Sequence, residues 1–463
     1  MMRRMILAFA SLPILAACAT PPGSSPPPAA TVQAPTAWRA PATVETETSV
    51  TDVWRSFGDE HLANLIAVAL ANNTDLAIAE ARVREAEALR QQAQSALAPS
   101  INLSLGAQKS RELSPFGTPR TTTVAQPQIQ VAYEADLWGR IREADRAARA
   151  SLQANIYARD AARLSIAGAV ARAYVSLLSL DAQRATAEAA LASRREAAAR
   201  ADHRARVGQT ADLERQQALA ELEAAAQRAP ALALAISRQE TALNILLGRN
   251  SGPVARGELA ALTVPTPRAP LPSTLLRRRP DLAQAEATLA ASDASLASAR
   301  AAFLPQVRLS AAAGELFVRH LDPLTVWSVG GSVLAPLFDA GRLRAQADGA
   351  AARRDQAAFA YRKAALTAFG EVESALEGLD QLAAQEIATQ RQRDANAKAL
   401  AHAQRRFEAG YAAYLEPLDA QRGLFAADLT VTQVREARLL NVIALYQALG
   451  GGWRMGDGPE GDD

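Results

Sequence analysis

Residues 75–100 read DLAIAEARVREAEALRQQAQSALAPS, and residues 281–306 read DLAQAEATLAASDASLASARAAFLPQ. Each opens on Asp-Leu-Ala and reaches a proline 24 positions later, Pro99 and Pro305, so the second stretch is displaced by 206 residues. Three further landmarks recur at a displacement of 202: Gly139-Arg140 with Gly341-Arg342, Gly208 with Gly410, and Leu247-Gly248 with Leu449-Gly450. Landmarks kept in one order mark an internal duplication. The first copy is four residues longer between Pro99 and Gly139. The copies are assigned to residues 52–257 and 258–453, with a polar tail at 454–463.

Each copy is built from the same parts. A helix beginning near Asp75 stops at Pro99, because proline cannot continue it. Alternation follows: Ile101, Leu103 and Leu105 against Asn102, Ser104 and Gly106, then Ile129, Val131, Tyr133, Ala135 and Leu137 against Gln128, Gln130, Ala132, Glu134 and Asp136. A period of two with one apolar face predicts two strands. The second copy repeats this with Val307, Leu309 and Ala311, then Trp327, Val329, Gly331, Val333 and Ala335. From Gly139 to Gly208 and from Gly341 to Gly410 is 69 residues without a proline. A continuous helix of that length reaches about 100 Å. Ile166, Val170, Ala173, Leu177 and Leu180 fall at alternating steps of four and three, a coiled-coil seam that Val372, Ala375 and Leu379 repeat. Past each glycine tip the chain runs 40 residues to Gly248 or Gly450, about 60 Å if helical, so it turns and goes back.

Four strands with an apolar outer face do not close a membrane barrel, for which about eight are the minimum. An open edge in lipid leaves backbone groups unpaired at several kcal/mol each, so the chain must oligomerise. Two copies supply eight strands and three supply twelve, the latter wide enough for a lumen. The fold class expected is therefore mainly α with a membrane β element.

Composition agrees. Of 463 residues 49% are hydrophobic but only 5% aromatic, and alanine supplies much of the apolar share, which favours closely spaced helices over a bulky core. A formal charge of +2 gives no broad attraction for nucleic acid. The densest basic run, Arg277-Arg278-Arg279, lacks interleaved aromatics and reads as solvated surface. Arg3 and Arg4, the apolar run Met5 to Ile14 and the ending Leu15-Ala16-Ala17-Cys18 have the pattern of a secretory signal over residues 1–17. LAAC resembles a lipobox, which implies that Cys18, the single cysteine, carries lipid. Ala19 follows it in place of an inner-membrane retention aspartate, which favours the outer membrane. Residues 18–51, rich in Pro, Ser and Thr, read as an extended tether with little to bury. Beyond the signal, the best apolar run, Leu164 to Leu180, is interrupted by Arg172, so no transmembrane helix is expected.

AYEADLWGRIREADRAARAS (132–151), RRRPDLAQAEATLAASDASLASARAAFLPQ (277–306), LAPLFDAGR (334–342), YLEPLDAQR (414–422) and LYQALGGGW (445–453) together resemble the TolC-like outer-membrane factors, in the lipidated branch serving resistance-nodulation-division efflux pumps. The likeness spans about residues 52–453. It implies a homotrimer in the outer membrane with a twelve-stranded β-barrel continued by a long α-helical barrel, a periplasmic adaptor and an inner-membrane pump as partners, and no cofactor.

The resemblance also assigns sites. VGQTADL and AGYAAYL match the helix-turn-helix tips that meet the adaptor, which carries Val207, Gly208, Gln209 and Thr210 over and, less closely, Ala409, Gly410 and Tyr411. Leu415, Glu416, Asp419 and Arg422, on one face within two helical turns, fall at the periplasmic gate. The first copy has Leu213 and Glu214 at the matching positions but Gln217 in place of the second acid. Some relatives lock the gate with a tyrosine three residues before the tip glycine and an arginine two after it; here Phe407 and Ala412 stand there, so any lock is built differently. No motif for catalysis is present, and His203 and His402, each near a tip, read as solvated helix residues. The function implied is an efflux exit duct, with a type I secretion duct and a pore-free, lipid-anchored coiled-coil spacer as alternatives.

Overall fold

The computed structural model describes residues 25–40, 50–265, 269–319 and 321–453. The signal segment, Cys18 and the polar tail 454–463 lie outside the described residues. The helices are α1 (Val50–Arg55), α2 (Glu60–Asn72), α3 (Thr74–Ser95), α4 (Arg140–Arg206), α5 (Asp212–Ala226), α6 (Arg228–Leu246), α7 (Pro272–Leu275), α8 (Pro280–Ala301), α9 (Arg342–Glu408) and α10 (Leu415–Ala448). Both α4 and α9 are 67 residues long, as the proline-free spans require. The chain divides into two compact units, and each sequence copy contributes to both.

One unit carries the sheet. Its strands β1 (Ser100–Leu113), β2 (Pro119–Ala135), β3 (Gln306–Val318) and β4 (Leu324–Leu334) lie in the order β1-β2-β3-β4, all antiparallel. The second strand of the first copy therefore pairs with the first strand of the second. β2 ends at Ala135, so Leu137 stands past the strand and not within it. The register joins Leu103, Ile129, Ala313 and Trp327 in one row, and Ile101, Val131, Ala311 and Val329 in the next. Leu103, Trp327 and Val329 are largely exposed, so this face is apolar and uncovered by the described residues. Row by row the opposite face presents Asn102, Gln130, Ala312 and Ser328, and then Ser104, Gln128 and Gly314. Asp136 accepts the backbone N–H groups of Ile141 (3.1 Å) and Arg142 (2.9 Å), and Asp339 accepts that of Leu343 (2.9 Å). Each acid satisfies the first donors of a long helix at the end of the sheet.

The other unit is a helical core. Val170, Leu177 and Leu178 of α4 are buried against Leu243 and Leu247, Leu439 and Ile443 of α10, and Phe57 and Leu62. Val372 and Ala375 of α9 occupy a second cluster with Leu275, Leu282 and Leu445. The predicted seam is thus the buried stripe of each long helix. α4 alone, among the described helices, contains a window apolar and long enough to cross a membrane, and 56% of that window is buried in protein. Nearer the tips the buried core thins to Ala198, Ala201 and Ala218, with the partly buried Leu219, Leu222 and Tyr414 packed against them.

Three further expectations change. The return segment of the first copy is not one helix: α5 ends at Ala226 and α6 starts at Arg228. Pro230 has no N–H to offer the Ala226 carbonyl, and its ring crowds that oxygen. Residues of the tether also pack: Trp38 lies 6.3 Å from the Phe369 ring and donates its indole N–H to the Pro270 carbonyl (2.7 Å), and Ala40 is buried. One aromatic ring supplies the burial that the Pro/Ser/Thr composition lacks. Finally, Arg279 is only 8% exposed. It donates two hydrogen bonds to Asp281 (3.0 and 2.7 Å), one to Glu371 (2.6 Å) and one to the Ala448 carbonyl (3.1 Å), which makes its burial tolerable.

Candidate functional site at the helical tips

Both tips are built alike. Gly208 sits at φ +75° and Gly410 at φ +77°, a left-handed conformation that ends a helix readily only at glycine. Gln209 N–H then reaches the Arg204 carbonyl (2.9 Å) and Tyr411 N–H that of Arg406 (2.8 Å), closing the last turn of α4 and of α9. A Cβ at either glycine would meet nothing within 4 Å, so the requirement is conformational and not steric crowding. Val207 and Tyr411 project into solvent, 53% and 80% exposed, with Gln209 and Ala409 also exposed. Thr210 is half-buried, its hydroxyl unpaired.

Behind the tips, Phe407 meets Tyr414 with ring centres 5.7 Å apart, and the Arg204 guanidinium lies 5.3 Å above the Phe407 ring. Phe407 is therefore held by an aromatic and a cation–π contact, neither of which involves Ala412. His402 lies beside Arg405 (3.0 Å), and among the described residues no group of three His, Cys, Asp or Glu is placed to hold a metal.

One turn farther back are the four residues of YLEPLDAQR. Leu415 is 51% exposed, Glu416 faces Arg406 of α9 at 3.5 Å, and Asp419 faces Arg422 at 3.2 Å. Arg422 also donates from Nε (2.8 Å) and Nη2 (2.5 Å) to Glu221 of α5. Glu221 pairs on its other oxygen with Arg194 of α4, which is buried. Burial lowers the pKa of Arg194, and the neighbouring charges of Arg422 and Arg228 add to that effect. Burial likewise raises that of the Tyr414 phenol. The structure thus joins Arg422 and Asp419 to two residues, Arg194 and Glu221, that sequence reading did not single out. A displacement of 202 points from Asp419 to Gln217, whereas the acid that matters stands one turn beyond it. The available signal was Arg194 itself, a cation among the alanines of α4 that needs a carboxylate if buried.

Long antiparallel helix pairs with glycine tips, joined to a small sheet whose apolar face is exposed, define an outer-membrane channel subunit. The chain matches the family described as Outer membrane efflux protein over residues 65–249 and 271–451, and it belongs to that family. Among curated relatives, a pyoverdine export outer membrane protein, OpmQ, of Pseudomonas aeruginosa is 34% identical, covering 98% of each chain. A probable outer membrane lipoprotein, SilC, of Salmonella typhimurium is 30% identical over 86% of this chain and 88% of its own. Among solved structures, the outer-membrane channel OprN superposes with a TM-score of 0.84 at 27% identity, covering 91% of this chain and 98% of that one. The protein is the outer-membrane exit duct of an efflux pump.

Proposed function

We propose that three copies assemble into a twelve-stranded barrel continued by a helical duct, with each chain giving four strands. The observation that carries this reading is the sheet: among the described residues β1 and β4 each pair along one edge only, while the apolar face stays exposed. Lipid tolerates neither an unpaired edge nor an open barrel, and other copies of the chain are the simplest closure. The tips at Val207–Thr210 and Ala409–Tyr411 dock a periplasmic adaptor, which links the duct to an inner-membrane resistance-nodulation-division pump. Leu415, Glu416, Asp419 and Arg422 form the resting gate, and Glu221 is the latch that holds Arg422 in it. Cys18 carries the lipid anchor. The end-to-end match to a pyoverdine exporter supports small-molecule cargo over secreted protein.

Native mass spectrometry of the mature chain extracted in mild detergent tests the assembly. Three copies are expected, with a circular dichroism spectrum dominated by helix. A monomer in every detergent that keeps the helical signal would remove both barrel and duct.

A further inference from the structure

Successive residues of a strand alternate between faces, and the register places all odd-numbered positions of the sheet on the apolar side. Followed toward the β1–β2 turn, that face changes character. Past Leu105 and Phe317 come Lys109 and Arg111 on β1, opposite Thr123 and Thr121 on β2, and Arg319 just after β3, whose backbone N–H bonds to the Thr123 carbonyl (3.1 Å). Lys109, Arg111 and Arg319 are all exposed, and among the described residues none of them is paired with a carboxylate. Glu315, opposite Thr325 on β4, is the one acid on this face of the described strands, and it interrupts the apolar rows two same-face positions before Arg319. The opposite face at this level carries Glu112 directly across from Arg120.

Distance fits the change. The register separates Tyr133, at the helical end of the apolar band, from Thr123 by ten residues. Ten residues span about 34 Å along a strand, or ~26 Å across a membrane at a tilt of about 40°. Transmembrane barrels carry an apolar band about 25 Å tall. The three cations therefore stand just beyond the hydrocarbon, at the headgroups of the leaflet opposite the helices. An isolated charge on a lipid-facing surface is unfavourable, but at headgroup level each Lys or Arg is attracted to anionic lipid.

We propose that Lys109, Arg111 and Arg319, with the hydroxyls of Thr121 and Thr123, form a binding surface for the phosphate groups of a phosphorylated outer-leaflet glycolipid. Two guanidinium or ammonium groups in neighbouring rows, flanked by hydroxyl donors, suit a phosphate monoester on a sugar, while Leu105 and Phe317 below them suit its acyl chains. The proposal rests on the membrane-barrel reading above.

The test uses the full-length assembly in nanodiscs containing either a phosphorylated glycolipid or its enzymatically dephosphorylated form, with bound lipid counted by native mass spectrometry. Each cation near an anionic headgroup contributes roughly five-fold in affinity. The triple variant Lys109→Gln, Arg111→Gln, Arg319→Gln should lose at least ten-fold in retained phosphorylated lipid, and Arg120→Gln, on the other face, should retain it as wild type does. Equal retention of both lipids by wild type, or an equal loss in Arg120→Gln, would overturn the site. A wild-type chain absent from the outer-membrane fraction would remove the barrel reading as well, whereas outer-membrane assemblies with unchanged retention in the triple variant remove the site alone.

Discussion

Arg422 donates two hydrogen bonds, of 2.8 and 2.5 Å, to a single carboxylate oxygen of Glu221, tying α10 to α5. The same carboxylate holds buried Arg194 of α4. One acid therefore serves two cations from two other helices. Its removal leaves Arg194 charged in a site that disfavours charge, a change that costs about 3 kcal/mol where the pair is fully enclosed.

Glu221→Ala should lower the thermal midpoint of the assembly by several degrees and raise its resting conductance in planar bilayers. Adding Arg194→Met should restore the midpoint, since the orphaned charge is gone, but not the closed state, because Arg422 still lacks its partner. Wild-type conductance in Glu221→Ala would assign the cluster to stability alone.

In a threefold assembly the exposed acids Glu416 and Asp419 are each repeated around one axis, where like charges repel and cations are favoured. Glu416→Ala together with Asp419→Ala should weaken cation selectivity, read as a shift in reversal potential across a salt gradient. Arg422→Glu should raise resting conductance more than the acid-to-alanine pair does, because it places a new anion beside Glu221 and Asp419. Unchanged reversal potentials and currents would locate the constriction elsewhere.

At the tips, Gly208→Val and Gly410→Val each force a β-branched residue into a left-handed conformation, at a cost of about 1–2 kcal/mol. An added Cβ meets nothing within 4 Å at either position, so assembly should survive while the local turn does not. Efflux, measured as cargo retained by cells, should be lost, and crosslinking to the adaptor should fall. Full crosslinking in both variants would count against docking at the tips.

Cys18→Ser should abolish incorporation of labelled fatty acid, with outer-membrane targeting reduced but not eliminated, because exposed apolar strands add their own membrane affinity. Undiminished label would rule the anchor out.

The sequence by itself determined the repeated parts. Strand and helix periods are local, so Ile101 to Leu105, Tyr133 to Ile129 and the seam from Ile166 to Leu180 declared their elements directly. Glycine at 208 and 410 declared the turns, because few other residues accept positive φ. Fixed displacements then predicted a long helix across each of the two 69-residue proline-free spans, and the structure places a 67-residue helix in each. Tertiary structure decided what depends on partners distant in the chain. Arg279 reads as surface in a basic run, yet it is buried because Glu371 and the Ala448 carbonyl come to it from far along the chain. Trp38 turns part of a spacer into a packed segment only because Phe369 and Pro270 are near. Asp419 and Arg422 are neighbours on any helix, so their pairing was legible, but Glu221 is 201 residues from Arg422 and no periodicity links them. A charge's energy is set by what surrounds it in space, and only the folded chain determines which residues those are.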